Sequence, residues 1–483
     1  FLVCSIEGVF LSLGYFFYSF FCILILMKWP FSFLKKKKPI TLFDSLPNTD
    51  NEVESLKAGG LASLALKRLK SMITEIGPRP AGSEQSRAAA RKLSEDFKIY
   101  CDDTIITTHL TSPGRYYGTF KILALASPLL IFLCWIGLPY IALVSFAYLV
   151  YAFYKEFICY NGIKTGSLFP KKDITNVHAT IEPQEEVTNT IIFSAHHDSA
   201  PIFKYDQSNK TQYRLSLYLP FAVFALTGLC VLTITILESF QHKLFHFNLP
   251  SLSTLIILII FSLFQICYVK LWSFVTETHS PGAGDNLVSS STIVELAHYF
   301  AWKKRNNKGL KHTRLIFVSF DGEEVGLIGS KAWYDKYAST FVNPININID
   351  APFSESELSF LTKDANGLVE LDNNLAVQLA EQAEKMGYQS KVGQIPFLGG
   401  ATDATSAARH DIRATTLVGI TLDKSGSEPY HTINDTPEAV SEKMIERVIS
   451  ILIKFVENNS EEVKTTEKKV LLLNSDTKFN LIH

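Results

Sequence analysis

The sequence predicts an α/β fold, a mostly parallel mixed sheet flanked by helices, with transmembrane helices inserted into it. Three observations carry this expectation. Short β-branched or aromatic runs alternate with helical patterns, an order that folds as a helix-covered, largely parallel sheet. Long apolar blocks interrupt that alternation. His, Asp and Glu residues recur at the ends of the apolar runs, where sites form in such sheets.

The runs TIIFSA (190–195), LIFVSF (315–320), ININI (345–349) and TTLVGI (415–420) read as buried strands. Helical patterns cover 285–303, 373–386 and 438–457. The first apolar block, about Val9 to Met27, is long enough to span a bilayer and is followed by Lys28 and the run Lys35 to Lys38. A signal peptide carries its charges in front of the apolar block, so residues 1–38 read as a transmembrane anchor and 39–69 as a linker. The second block, Ile122 to Tyr154, is too long for one upright span, and Gly137-Leu138-Pro139 marks a turn inside it. It reads as a helical hairpin over 119–155. The third block has two arms, Leu215 to Leu237 and Leu252 to Val269, joined by ESFQHKLFHFNLP and inserted over 205–275. Arms with no polar face suit a membrane better than a soluble core. The α/β domain then comprises 70–118, 156–204 and 276–457, and 458–483 is a polar tail.

Bulk composition agrees. Of 483 residues 47% are hydrophobic, 19% are charged, and 35 are Phe, which favours membrane spans. The net charge of -1 gives no sign of nucleic-acid binding. The seven cysteines form no CxxC pair, so neither a disulfide framework nor a cysteine zinc site is indicated. The arms of the third block contain no Asp, Glu, Lys or Arg, which argues against a transporter.

The chemistry-bearing residues follow the strands. In FSAHHDSA, His196 and Asp198 stand two apart at a strand end, spaced as a metal ligand and the carboxylate that orients it. A surface turn is the alternative for this stretch alone. Asp285 in GAGDN sits where a helix begins, a place that an ordinary N-cap would also occupy. Glu323 and Glu324 stand side by side after a buried strand, an arrangement that needs a proton or cation to neutralise one of them. Asp350 ends ININID, and His431 lies in EPYHTINDTPE. Nitrogen and oxygen donors without cysteine suit Zn²⁺ in an open site. A bridging carboxylate would allow two such ions.

With these motifs in hand, the sequence resembles the co-catalytic zinc aminopeptidases, a family related to the glutamate carboxypeptidases and glutaminyl cyclases. The resemblance lies in IGPRPAGS (76–83), AHHDS (195–199), GAGDN (282–286), DGEEVGLIGS (321–330), NID (348–350) and YHT (430–432). It implies a zinc exopeptidase-like fold and a membrane-anchored metallo-aminopeptidase with two Zn²⁺ and a peptide substrate. His196 and Asp350 would bind one zinc, Glu324 and His431 the other, and Asp285 would bridge them. Glu323 would be the general base, Asp198 the partner that orients His196, and Tyr430 a phenol beside the oxyanion. Asp403, in GGATDATS, would be structural or line the pocket. The alternatives are a glutaminyl-peptide cyclase with one zinc and a non-catalytic membrane scaffold of the same fold.

The sequence departs from the family pattern between AHHDS and GAGDN, which stand about eighty residues apart around the third apolar block. Each insertion has an even number of passes, so the catalytic domain stays on one face of the bilayer. Short linkers hold the site within about 35 Å of the lipid, which favours hydrophobic or membrane-associated peptides as partners, with Tyr218, Phe221 or Trp272 as apolar walls. Lys35 to Lys38, Lys155, Lys204, Lys210, Arg214 and Lys270 flank the spans on the catalytic side. The positive-inside rule then favours a cytoplasmic catalytic side, whereas the resemblance to membrane-bound relatives implies an extracytoplasmic one.

Overall fold

The computed structural model describes residues 56–162, 168–204, 210–240, 252–422 and 429–459. The expected anchor at Val9 to Met27, the Lys35 to Lys38 run and the tail beyond 459 lie outside these residues. An eight-stranded mixed sheet has the order β1-β2-β6-β3-β7-β12-β8-β11. Its centre is parallel: β6 (Thr313–Phe320), β3 (Asn189–His196), β7 (Pro344–Asp350) and β12 (Arg413–Gly419). These are the four apolar runs read from the sequence, and burial on both faces explains their near-continuous hydrophobicity. Antiparallel pairing brings in β2 (Lys172–Ile181), then β1 (Asp103–Thr111), at one edge, and β8 (Leu358–Leu361) beside β12 at the other, where β11 (Lys391–Gly393) pairs parallel to β8. The remaining strand pairs are the short hairpin β9 (Lys363–Asp364) with β10 (Val369–Glu370), and β4 (Pro201–Phe203) with β5 (Val275–His279).

Helices cover both faces. On one side lie α1 (Ala58–Ile76), α2 (Glu84–Tyr100), α7 (Val288–Arg305), α9 (Asn373–Lys385) and a helix over 442–459. On the other lie α8 (Ile328–Tyr337) and α10 (Ala404–Ala408), around Trp333 and Tyr334. Residues 58–69, read from the sequence as linker, are instead the first part of α1. Leu61, Ala65, Leu69 and Met72 recur at helical spacing and are buried in the core.

Four of the described helices are long and apolar enough to cross a membrane: α3 (Arg115–Trp135), α4 (Pro139–Ile158), α5 (Thr211–Phe240) and α6 (Leu252–Trp272). Gly137, at φ +77°, makes the α3–α4 turn, and Pro139 opens α4. The four helices pack on each other around Phe120, Leu130, Val231, Ile234 and Leu258. A Cβ on Gly228 would lie 2.0 Å from the Phe146 ring, so that glycine lets α4 and α5 approach. Polar contacts cross the bundle: Ser127 Oγ donates to Gln265 Oε1 at 2.9 Å, and Tyr268 Oη to the Pro220 carbonyl at 3.1 Å. Outward-facing positions such as Leu229, Leu263, Ile266 and Val269 are apolar and exposed. Tyr218 and Trp272 sit on this outer surface, and Phe221 packs inside the bundle against Phe120 and Phe153.

The turn after β6 is fixed by close packing. Asp321 accepts from the backbone N–H of Thr175 at 3.0 Å, and its own N–H donates to Asn176 Oδ1 at 2.9 Å. Gly329, in the first turn of α8, leaves no room: a Cβ there would sit 1.9 Å from the Asp321 carbonyl oxygen. Gly329→Ala is therefore expected to cost at least about 1–3 kcal/mol, read as a lowered midpoint in thermal unfolding of the detergent-solubilised chain. An unchanged midpoint would show that the turn yields more easily than its packing indicates.

Candidate metal centre

The three central parallel strands deliver their carboxyl ends to one place. β3 ends at His196, β7 at Asp350, and β6 runs into Asp321 and the Glu323-Glu324 turn. β6 and β7 flank β3, so the chain reverses its winding there and leaves a crevice at the strand ends. A short kinked segment, Ala283–Leu287, brings Asp285 from the start of α7, with a cis Asp285–Asn286 peptide bond. The segment after β12 brings Tyr430 and His431.

The side chains converge. Asp285 lies between two imidazoles, with Oδ1 3.2 Å from His196 Nε2 and Oδ2 2.9 Å from His431 Nε2. Glu324 Oε2 is 3.3 Å from His431 Nε2. Asp350 Oδ1 and Glu323 Oε2 approach His196 Nε2 at 3.8 and 3.9 Å. Two triplets, His196 with Glu323 and Asp350, and His196 with Asp285 and Glu324, each place one donor atom per residue within 4.8 Å of the others. The Tyr430 ring stacks on His431 at 3.9 Å between centroids. Asp403 is fully buried, without a well-formed hydrogen bond to either carboxylate oxygen, and its charge is felt by Glu323. The expected ligands His196, Asp285, Glu324, Asp350 and His431 thus lie at this one place with Glu323, Asp198 and Tyr430, whereas Tyr218, Phe221 and Trp272 do not.

Residues around the cluster hold it in shape. Asp198 accepts from the backbone N–H groups of both Glu323 and Glu324 at 3.2 Å, and its Oδ1 lies 3.3 Å from His196 Nδ1. One carboxylate therefore lies against both the His196 imidazole and the Glu-Glu turn. His197 points elsewhere: its Nδ1 meets Ser319 Oγ at 2.8 Å, and burial pushes it down to about 3, so it is neutral.

The electrostatics call for positive charge. Burial pushes Glu324 up to about 7, helped by Asp285 and opposed by His431. Glu323 is driven well above the ordinary range by burial, then by the charges of Asp350, Glu324 and Asp403. Burial opposes an imidazolium at His196 and at His431, but the surrounding carboxylates outweigh it and raise both well above the usual histidine range. Protons thus gather where cations would sit. Among the described residues, buried His431 Nε2, Asp285 Oδ2 and Glu324 Oε1 also have no well-formed hydrogen bond. Converging unpaired donors of this kind fit a divalent ion with N/O preference, such as Zn²⁺.

Arg79 and Asp435 have roles that the sequence did not suggest. Arg79 is fully buried and its guanidinium donates to four carbonyls: His197 at 2.6 Å, Gly77 at 2.9 Å, Pro281 at 2.9 Å and Gly282 at 2.6 Å. Burial pulls it down to about 10, with Asp435, Asp198 and Asp285 opposing, so it stays charged at neutral pH. Asp435 accepts from the N–H of Gly284 at 2.6 Å and of Asp285 at 3.2 Å. Backbone partners from distant segments leave no mark in a sequence. The only hint was Arg79 inside IGPRPAGS.

Residues 271–456 match the model of peptidase family M28. The matched stretch begins where α6 ends and takes in Asp285, Glu323, Glu324, Asp350 and His431, with His196 and Asp198 upstream of the insertion. No curated protein matches significantly. Among solved structures the chain is similar to a glutaminyl cyclase of Bacteroides thetaiotaomicron, at 12% identity over 81% of this chain and 95% of that one, with a TM-score of 0.47. It is similar also to a Zn-dependent exopeptidase from Parabacteroides distasonis (11% identity, 82% and 97%, TM-score 0.47). A third is a zinc aminopeptidase from Bacillus subtilis (15% identity, 81% and 94%, TM-score 0.46). The match over residues 271–456 agrees with the resemblance carried by the motifs and supports a peptidase.

Two expectations follow. Chelation should lower the thermal midpoint and zinc should restore it, because the carboxylate cluster loses the charge that compensates it. A midpoint indifferent to both would mean that the cluster holds no resident ion. Arg79→Met should weaken zinc retention about tenfold or more, measured by competition with a colorimetric chelator. Wild-type retention would mean that the loops keep their places without the guanidinium.

Proposed function

We propose that the chain is a membrane-anchored zinc aminopeptidase with two ions, which removes N-terminal residues from peptides. The observation that carries this is the shared Asp285 carboxylate, one oxygen facing each imidazole. One ion would be held by His196, Asp350 and Asp285, the other by His431, Glu324 and Asp285. When bound, the pair supplies Lewis acidity that lowers the pKa of water and polarises a carbonyl.

The chain's own residues do the rest. Glu323 stands beside this set without being needed as a ligand. Its carboxylate takes a proton from the attacking water and returns it to the leaving amine. Asp198 keeps Glu323 and Glu324 in place through their N–H groups and orients His196. Tyr430, stacked on His431, has a phenol in the electrostatic field of Asp285 and Glu324. It is the candidate donor to the carbonyl oxygen as negative charge develops there.

The four apolar helices with exposed apolar outer faces support a multi-pass membrane protein. The antiparallel ribbon of β4 and β5 joins the second insertion to the site: Pro201 pairs with His279 and Phe203 with Val275. Three residues of strand span about 10 Å, so the site lies close to the bundle. That proximity favours hydrophobic or membrane-tethered peptides, and the lysines flanking the spans favour a cytoplasmic catalytic side.

Glu323→Gln is expected to keep its zinc and lose turnover by several orders of magnitude, about 10²-fold at the least, whereas Glu324→Gln loses zinc. Near-normal activity in Glu323→Gln would remove it as the base. Acetylating the substrate's amine should abolish cleavage, because an exopeptidase of this kind needs the free N-terminus. Equal rates on free and blocked peptides would exclude an aminopeptidase.

A further inference from the structure

Two turns of the α/β domain are bonded to the end of a membrane helix. Asn366, in the tip of the β9–β10 hairpin, donates from Nδ2 to the carbonyls of Phe157 (2.9 Å) and Ile158 (3.2 Å), the last residues of α4. The same residue clamps a second turn. Its backbone N–H donates to the Gly400 carbonyl at 2.8 Å, and its Oδ1 accepts from the Gly400 N–H at 3.2 Å. That second turn is closed by a 2.8 Å hydrogen bond from the Gly399 N–H to the Pro396 carbonyl, which leaves Phe397 and Leu398 at its corner. Arg409 adds to the attachment by donating to the Cys159 and Tyr160 carbonyls just beyond α4.

Both turns expose apolar side chains at their tips. Leu368, Phe397 and Leu398 are 54%, 58% and 59% exposed, close to Leu229 and Leu263 on the outer face of the helical bundle, at 61% and 63%. Leu398 also holds a φ of +62°, a position that turns facing water usually give to glycine or asparagine. No charged residue lies between Ala365 and Leu368 or between Ile395 and Thr402. The exposed charges nearest the hairpin tip, Lys363 and Glu370, pair with each other behind it at 2.6 Å.

We infer that these two turns seat Leu368, Phe397 and Leu398 in the lipid headgroup layer, so that the α/β domain itself grips the bilayer beside its two helical insertions. The inference rests on the membrane reading of the four apolar helices and adds a contact that none of them makes. A helix that crosses the bilayer ends in the interfacial layer, about 5–8 Å deep on each side. Leu368 stands two residues from Asn366 and Leu398 two from Gly400, a reach of at most about 7 Å. The clamp therefore holds both tips beside the end of α4, at the height of that layer. Leucine and aromatic side chains on an uncharged turn are stabilised by entering it. The exposed apolar belt of the bundle then continues onto the domain.

The test uses the full chain in nanodiscs of dioleoylphosphatidylcholine, with a hydrophobic peptide added. A photoreactive benzophenone side chain is placed by codon suppression at one position at a time. The positions are 398, 263 on the outer face of α6, and 342, an exposed position just before β7 at the opposite end of the sheet from the metal cluster. Irradiation followed by mass spectrometry counts the lipid adducts. Positions 263 and 398 should both form them, and 342 should stay at background. The double variant Phe397→Ser, Leu398→Ser removes the apolar corner without touching the Asn366 clamp. With the probe at 368, it should lower the lipid adducts formed there. Adducts at 398 no more frequent than at 342, while 263 is labelled, would overturn the inference and leave the membrane reading intact. Adducts at 398 with the peptide in place of lipid would overturn it too, and would make the turn part of the substrate's path. If 263 also stays at background, the membrane reading itself fails and the inference falls with it.

Discussion

Burying many carboxylates in one place is the constraint on which the rest of this structure depends. Asp198, Glu323, Glu324 and Asp350 lie at the carboxyl ends of three adjacent strands, Asp285 and Asp403 come in from the starts of helices, and each is less than a tenth exposed. Like charges cannot share a buried site unless something neutralises them. The chain answers in three ways. Backbone N–H groups compensate Asp198 and Asp435. Arg79, whose guanidinium stays charged, sits within the field of Asp435, Asp198 and Asp285. Among the described residues the two imidazoles are the basic groups in contact with the inner carboxylates, and the surrounding negative charge raises both well above their usual range. A centre that binds protons this strongly is one that divalent ions stabilise when they replace them.

The same constraint explains how a helical bundle can be inserted between two ligand-bearing loops. The chain leaves the site after Asp198 and returns before Asp285, and a shift at either loop would misplace a ligand. Arg79 spans the gap by donating to His197 on the outgoing side and to Pro281 and Gly282 on the returning side. The Ser280 N–H donates to the Ala200 carbonyl at 2.9 Å beside it, and the β4–β5 ribbon follows. The site side of the stem is thereby closed before the apolar helices begin. Each good bidentate or charge-assisted bond of this kind is worth about 1.5–3 kcal/mol, enough for one residue to govern the placement of both loops.

The central strands and the donor residues were legible in the sequence because each is encoded locally. A buried parallel strand is a continuous apolar run, and a carboxylate or histidine at its end stands out. The edge strands were missed. β1 and β2, DTIITTHLT and KDITNVHATI, are rich in Thr, Asn and His because β1 is largely exposed and β2 pairs at the sheet's margin. The first part of helix α1, residues 58–69, was read as linker because its apolar face is built partly of Ala. Arg79 and Asp435 were silent because their partners are backbone atoms far away in the chain. The walls expected from Tyr218 and Trp272 were misplaced for a related reason: an aromatic residue near a span end has no sequence mark that separates an outer surface from a cleft.

The central claim is a pair of ions sharing the Asp285 carboxylate. Anomalous diffraction at the zinc edge from crystals grown with zinc tests it most directly, supported by metal analysis of the same protein. The account predicts two peaks, one on each side of Asp285, within bonding distance of His196 and of His431, at about 3.5–4 Å separation, and two zinc ions per chain. A single peak, or zinc bound away from Asp285, would contradict it.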